Sequence, residues 1–159
     1  MTRKKTIYLL AALCAVALAC MLAALLAGGR ETFTPPPFDP AAQQGTPAVP
    51  DNAGYSQLDA QAFRVSAAGA LWVAEDNTVA LWLTNPADNT VWLKARLLDE
   101  TGVVLGETGL LRQGEYVRAV TLTAPPTETA PVSIKLMAYE PETYYSAGSV
   151  VLETVLNVQ

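Results

Sequence analysis

The stretch that decides the fold runs from Val79 to Leu98 and reads VALWLTNPADNTVWLKARLL. Side chains of a β-strand alternate between its two faces. Val79, Leu81 and Leu83 therefore share one face, with Ala80, Trp82 and Thr84 on the other. Beyond the turn residues, Val91, Leu93, Ala95 and Leu97 oppose Trp92, Lys94, Arg96 and Leu98. The two cations mark the second set as solvent-facing. A hairpin closed around NPADN, with Thr84 opposite Thr90, sets Trp82 against Trp92, a cross-strand pair contributing roughly 0.2 to 1 kcal/mol. If the two strands belong to different sheets, that pairing vanishes.

Working outward, the same alternation predicts strands at 62–66, 70–73, 79–84, 91–98, 103–106, 116–123, 132–139 and 150–158. Turn signals separate them at intervals typical of a sandwich or barrel. Asp-Asn-Thr stands before a valine at residues 76–78 and again at 88–90. Its side chains bond their own backbone and tolerate left-handed conformations. In the seventh strand Val132, Ile134, Leu136 and Ala138 form a core face, and Lys135, Met137 and Tyr139 point the other way. Eight short strands leave almost no length for helices, so residues 57–159 read as an all-β domain.

The chain ahead of that domain has two parts. Residues 7–27, IYLLAALCAVALACMLAALLA, are uncharged and free of Pro and Gly. As a helix they reach about 31 Å, enough to cross a bilayer core. Arg3, Lys4 and Lys5 precede them, so residues 1–6 are expected in the cytoplasm and everything after Arg30 outside. A signal anchor is favoured over a cleaved signal peptide, whose apolar middle is shorter, and over lipidation at Cys20, where Ala17 stands in place of the usual Leu. Residues 28–56 then carry Pro35, Pro36, Pro37, Pro40, Pro47 and Pro50. Prolines deny the backbone helix and ladder hydrogen bonds, which predicts an extended spacer. Within it TPPPFDP, residues 34–40, also suits a recognition peptide.

Composition narrows the function. There is no His, and both cysteines, Cys14 and Cys20, lie in the apolar block. The usual general base, thiol nucleophile and Cys/His zinc site are therefore missing from the exported part. From residue 31 onward six basic residues face fifteen acids, a formal charge of about −9. Such a surface repels phosphate backbones, and no nucleic-acid partner is expected.

The segment from Leu81 to Leu122 resembles a pattern in small uncharacterised membrane-anchored extracytoplasmic proteins of Gram-positive bacteria. There a strand ends in Asn-Pro with a second Asn soon after, the next ends in Asp-x-x-Gly, and Ser-Gly-Leu-Ile-x-Pro-Gly precedes another. Asn85, Pro86, Asn89, Asp99, Gly102, Gly109, Leu110 and Gly114 match; Thr108 and Gln113 replace Ser and Pro. Thr129-Ala130-Pro131 stands where a Gly-containing turn belongs. The resemblance implies an immunoglobulin-like antiparallel sandwich of seven to eight strands behind a signal anchor, and brings no active site.

Trp82, Trp92, Lys94, Arg96 and Tyr139 are the expected binding surface, because aromatic residues are enriched at interfaces. Plain packing competes with that reading, with Trp72 and Trp82 in the core and Trp92 covering a sheet edge. PETYYSAG, residues 141–148, reads as a loop with two exposed tyrosines. Convergence of Asp76, Asn77, Asp88 and Asn89 at one end of the sandwich would suit calcium, but no Asp-x-Asp-x-Asp-Gly loop is present. No catalytic residue, cofactor or metal site is assigned. The expectation is a membrane-tethered, non-catalytic module of the cell envelope with a protein partner. The alternative is a carbohydrate- or wall-binding module.

Overall fold

The computed structural model of the chain describes residues 3–27 and 33–158. Expectations about residues 1–2 and 28–32, including Arg30, fall outside them. Two compact units divide at Thr34 and Pro35. The first contains α1 (Arg3–Ala27), 25 residues long. Among the described residues no helix is long and apolar enough to cross a membrane.

The second unit is a two-sheet β-sandwich. Its strands are β1 (Gln43–Gln44), β2 (Tyr55–Asp59), β3 (Arg64–Ala68), β4 (Leu71–Trp72), β5 (Thr78–Thr84), β6 (Trp92–Asp99), β7 (Val104–Glu107), β8 (Glu115–Thr121), β9 (Ala130–Tyr139) and β10 (Ser146–Asn157). One sheet has the order β1-β8-β5-β3-β2 and the other β4-β10-β9-β6-β7. The eight strands expected from alternation correspond to β3 through β10, and the inward faces of β5, β6 and β9 are buried as the alternation requires. Val79, Leu83, Ile134 and Ala138 are fully enclosed.

Four features differ from the sequence reading. The hairpin around NPADN does not form, because β5 and β6 lie in different sheets. Trp82 and Trp92 therefore do not pair. Among the described residues the strands number ten, not seven to eight, and one pair of strands is parallel: Leu71 lies beside Leu156 and Trp72 beside Asn157. That pairing arises because β3 and β4 are one line of chain that changes sheets at Gly69 and Ala70. Their amides donate to Gly54 O at 3.1 Å and Ala53 O at 3.0 Å, so the crossing leaves neither donor orphaned.

The largest difference concerns residues 35–56, which belong to the sandwich and are not a spacer. Proline lacks an amide hydrogen but keeps its carbonyl. Leu110 N donates to Pro37 O at 2.9 Å, Asp39 N to Leu110 O at 2.9 Å, and Gly45 N to Gly114 O at 2.8 Å. β1 pairs with β8 and β2 with β3. Pro47 is buried, and Val49, Ala53, Tyr55 and Leu58 pack against the core. Gly109 permits this docking, since a Cβ there would collide with the backbone of Phe38 and Asp39.

Candidate functional site

β6 carries the expected surface on its outward face. Its register against β9 places Trp92 opposite Tyr139, Lys94 opposite Met137 and Arg96 opposite Lys135. Four of the five expected residues are thus neighbours on one sheet. Trp82 is not among them, because it lies on β5 of the other sheet.

Trp82 is also buried, with only 7% of its surface exposed. The ladder between β5 and β8 shifts register between Ala80 and Leu83. Such a bulge sets two residues against one and ends strict alternation. Trp82 takes φ +50° there, and the Arg118 guanidinium sits 4.9 Å from its ring centroid. A non-glycine residue at positive φ is uncommon, and the period-two reading had no means of registering it.

Trp92 is half-buried by its neighbours. Phe38 meets it edge-on at 4.8 Å and 78°, and Tyr144 at 5.3 Å and 61°. Arg112 lies over the outer face of Phe38, 3.6 Å from the ring centroid. The TPPPFDP segment therefore inserts its aromatic beside Trp92 of the same chain. Asp39 seals the insertion, its carboxylate accepting from Gly109 N at 2.8 Å and Ala41 N at 2.9 Å.

Lys94 is 5% exposed, so it is not the solvated cation its alternation suggested. Its ammonium contacts Glu107 Oε1 at 2.8 Å, while Arg96 Nε donates to Glu107 Oε2 at 2.7 Å. Partial burial pushes the Glu107 carboxyl up, but hydrogen bonds and charge from Lys94 and Arg96 outweigh it and hold its pKa below the ordinary value. Tyr139 completes the row, its hydroxyl donating to Met137 Sδ at 3.7 Å. The row is largely engaged in packing.

Residues matched by the family resemblance have structural work as well. Asn85 is wholly buried. Its Nδ2 donates to Val91 O at 2.9 Å and Leu111 O at 3.1 Å, and its Oδ1 accepts from Asn89 Nδ2 at 2.7 Å. Asn89 Oδ1 in turn accepts from Arg64 N at 3.0 Å. These two amides tie the crossover between the sheets to β3. Asp99 Oδ1 accepts from Thr101 Oγ1 and from the amides of Thr101 and Val103, each at 2.8 Å. The Thr101 hydroxyl is the main cause of its lowered pKa. Gly102 closes that turn at φ +84°.

The possible calcium ligands do not converge. Asp76 and Asn77 precede the seven-residue β5 and Asp88 and Asn89 follow it, so about 23 Å of strand separates them. Asp76 is held by Thr78, and Asp88 pairs with Arg64. Among the described residues no three His, Cys, Asp or Glu side chains group as a metal site.

Two surfaces outside the expected one stay open. Trp72 is 51% exposed, where packing in the core had been an alternative, because β4 ends there after two residues. It walls a groove of about 730 Å³ with Glu75, Asn77, Ala80, Pro125 and Pro126. The second surface is β10. It pairs with β9 over most of its length but with β4 only at Leu156 and Asn157. Val151 and Val155 are exposed, and Val150 and Leu152 on the inward face are only partly buried. Alternation alone did not mark this edge, since an open ladder has no residue signature. No family model, curated protein or solved structure matches this chain.

Proposed function

We propose that the chain is a membrane-tethered, extracytoplasmic and non-catalytic protein-interaction module of a bacterial cell envelope, binding through the edge of an immunoglobulin-like sandwich. The observation that carries the reading is the open edge of β10. Exposed strand edges offer unpaired backbone groups that a partner strand can take up. The immunoglobulin-like assignment is supported by the first line of chain serving both sheets, with its second part parallel to the last strand. It is the arrangement implied by the resemblance to membrane-anchored proteins of Gram-positive bacteria.

The tether reading is supported by residues 7–27, uncharged and preceded by Arg3, Lys4 and Lys5. Ile7, Leu13, Val16 and Leu18 of α1 are exposed in the chain by itself. Crosslinking of the full chain in membranes, read by mass spectrometry, tests the proposal. Adducts mapping to β10 are the expected result, and adducts confined to other surfaces would overturn it. Protease added outside the cell should cut the sandwich and spare residues 1–6.

A carbohydrate-binding reading also has a specific observation behind it, the exposed Trp72 beside the groove. Sugar rings stack on such aromatic faces, Asn77 can donate to or accept from hydroxyls, and the Glu75 carboxylate can accept from them. Retention on insoluble peptidoglycan that is lost in Trp72→Ala and kept in Trp92→Ala would favour it.

A further inference from the structure

The segment that covers Trp92 has the form of a bound peptide. Phe38 makes an isolated parallel bridge with Leu110. Leu110 N donates to Pro37 O and Asp39 N to Leu110 O, both at 2.9 Å, the backbone pairing that an extended peptide makes when it adds to a strand. Between these bonds the Phe38 ring is held by Trp92 and by the Arg112 guanidinium. One residue on, the Asp39 carboxylate accepts from Gly109 N at 2.8 Å, and Gly109 has no Cβ to keep the approaching backbone away. Leu110 is fully enclosed yet stands outside the core cluster of the sandwich. Its cover is therefore the chain that lies over it, as in the small apolar clusters found beneath loops. The groove thus reads four features of its occupant: an extended backbone, an apolar body, an aromatic ring and a carboxylate.

Little of the sandwich depends on this segment staying in place. No residue from 33 to 46 is buried. The buried apolar core begins at Phe63, and Ala42 is the earliest residue that flanks it. Surface hydrogen bonds of such a segment open at lower free energy than those of core strands. Opening leaves Leu110, Trp92, Arg112 and the Gly109 and Leu110 amides to a new occupant. We propose that residues 36–40 are a displaceable internal ligand and that the groove beneath them is a peptide-binding site. It takes from a partner protein an extended, proline-rich segment in which an aromatic residue precedes an aspartate. The occupant seen in the structure selects that chemistry. Its prolines hold the chain extended before it docks, which lowers the ordering cost of binding. The site lies at Trp92 and residues 109–112, apart from the β10 edge, and stands or falls independently of it.

The test uses the full-length chain in detergent and a fluorescent peptide with the sequence of residues 34–41, TPPPFDPA, read by anisotropy. In the parent chain the internal segment competes at an effective concentration on the order of millimolar, so the peptide should bind weakly. Phe38→Ala in the chain weakens that competitor and should raise peptide affinity about tenfold. The same peptide carrying Phe38→Ala should not bind, and Trp92→Ala added to the loosened chain should abolish binding. Saturating peptide should also restore slow amide exchange at Gly109 and Leu110 of the loosened chain. Asp39→Ala carries the same comparison should Phe38→Ala fail to fold, as judged by circular dichroism. Equal affinity for the parent and both variants, or no binding to any of them, would overturn the proposal. So would binding that leaves exchange at Gly109 and Leu110 unchanged, since the peptide would then sit elsewhere. In the parent, exchange at these two amides as slow as at Ile134 and Leu136 would show that the segment leaves only when the sandwich unfolds, and would overturn it too.

Discussion

At the β6 side of the second sheet Trp92, Lys94 and Arg96 are each met by another part of the same chain, whereas at the β10 side Val151 and Val155 stand in solvent. The two sides share a sheet and the same alternation of side chains. They differ in whether residues from elsewhere arrive to cover them. Residues 37–39 and the strand pair β6–β7 close the first side, and among the described residues no equivalent segment closes the second. An outward-facing aromatic is therefore no guide to a binding surface until its cover is known.

The comparison breaks most severely if the closed side loses its anchor. Asn85→Ala removes both donors to Val91 O and Leu111 O. The Val91 carbonyl loses that donor and Leu111 O keeps only Leu93 N at 3.0 Å, which together cost about 3 kcal/mol. Urea denaturation should show a lower midpoint with an unchanged slope; a shift under about 1 kcal/mol would mean that Asn85 is not what holds the crossover.

Glu107→Gln should follow at about 2 kcal/mol, because it leaves the enclosed Lys94 ammonium beside a neutral amide. The cost falls below that of a wholly buried pair since Glu107 is 41% exposed. Lys94→Met, which removes the buried charge itself, should change stability by less than about 1 kcal/mol. The pH dependence has a definite sign. Glu107 has a folded pKa below its ordinary 4.5, so its contribution is complete above that value and is lost as pH falls through the lower folded value. Asp76 and Asp99, lowered from 3.8 chiefly by the hydroxyls of Thr78 and Thr101, act in the same direction. Acid titration of Glu107→Gln should show a smaller loss as pH falls below 4.5 than the parent chain.

Phe38→Ala sharpens the comparison, since it removes one edge-on ring contact and one cation–π contact, together worth about 1.5 kcal/mol. Amide exchange at Gly109 and Leu110 should quicken, because Asp39 and Pro37 receive those amides. Unchanged protection there would show that Phe38 is not the fastener. Smallest of all, Val155→Thr on the open side should stay within about 0.5 kcal/mol of the parent.

Much of the sandwich is readable from alternation because the core selects for it: Val79, Leu81 and Leu83, or Val132, Ile134 and Leu136, leave one period and one interpretation. The turns are readable because Asp76 and Asp99 bond locally. Trp82 is misread because the bulge between Ala80 and Leu83 buries it although Leu81 and Leu83 on either side keep the core face. Residues 35–56 are misread for a different reason. Their order comes from carbonyls, rings and one carboxylate docking onto distant residues, and the prolines that signal a spacer also stiffen a segment that lies flat. Of the expected surface, the neighbourhood of Trp92, Lys94, Arg96 and Tyr139 is legible as one row, but its cover by Phe38 and Tyr144 depends on contacts far apart along the chain.

The placement of β1 and β2 has a consequence for handling and for evolution of the chain. Both edges of the first sheet are supplied by the segment before residue 60. β1 is two glutamines long, and β2 exposes Ser56, Gln57 and Asp59. Short polar strands make poor templates for stacking other chains. Cleavage within residues 45–54 would release β1 and bare β8, while loss of β2 as well would bare β3. Proteolytic nicking there should turn a well-behaved protein into one that forms β-rich aggregates.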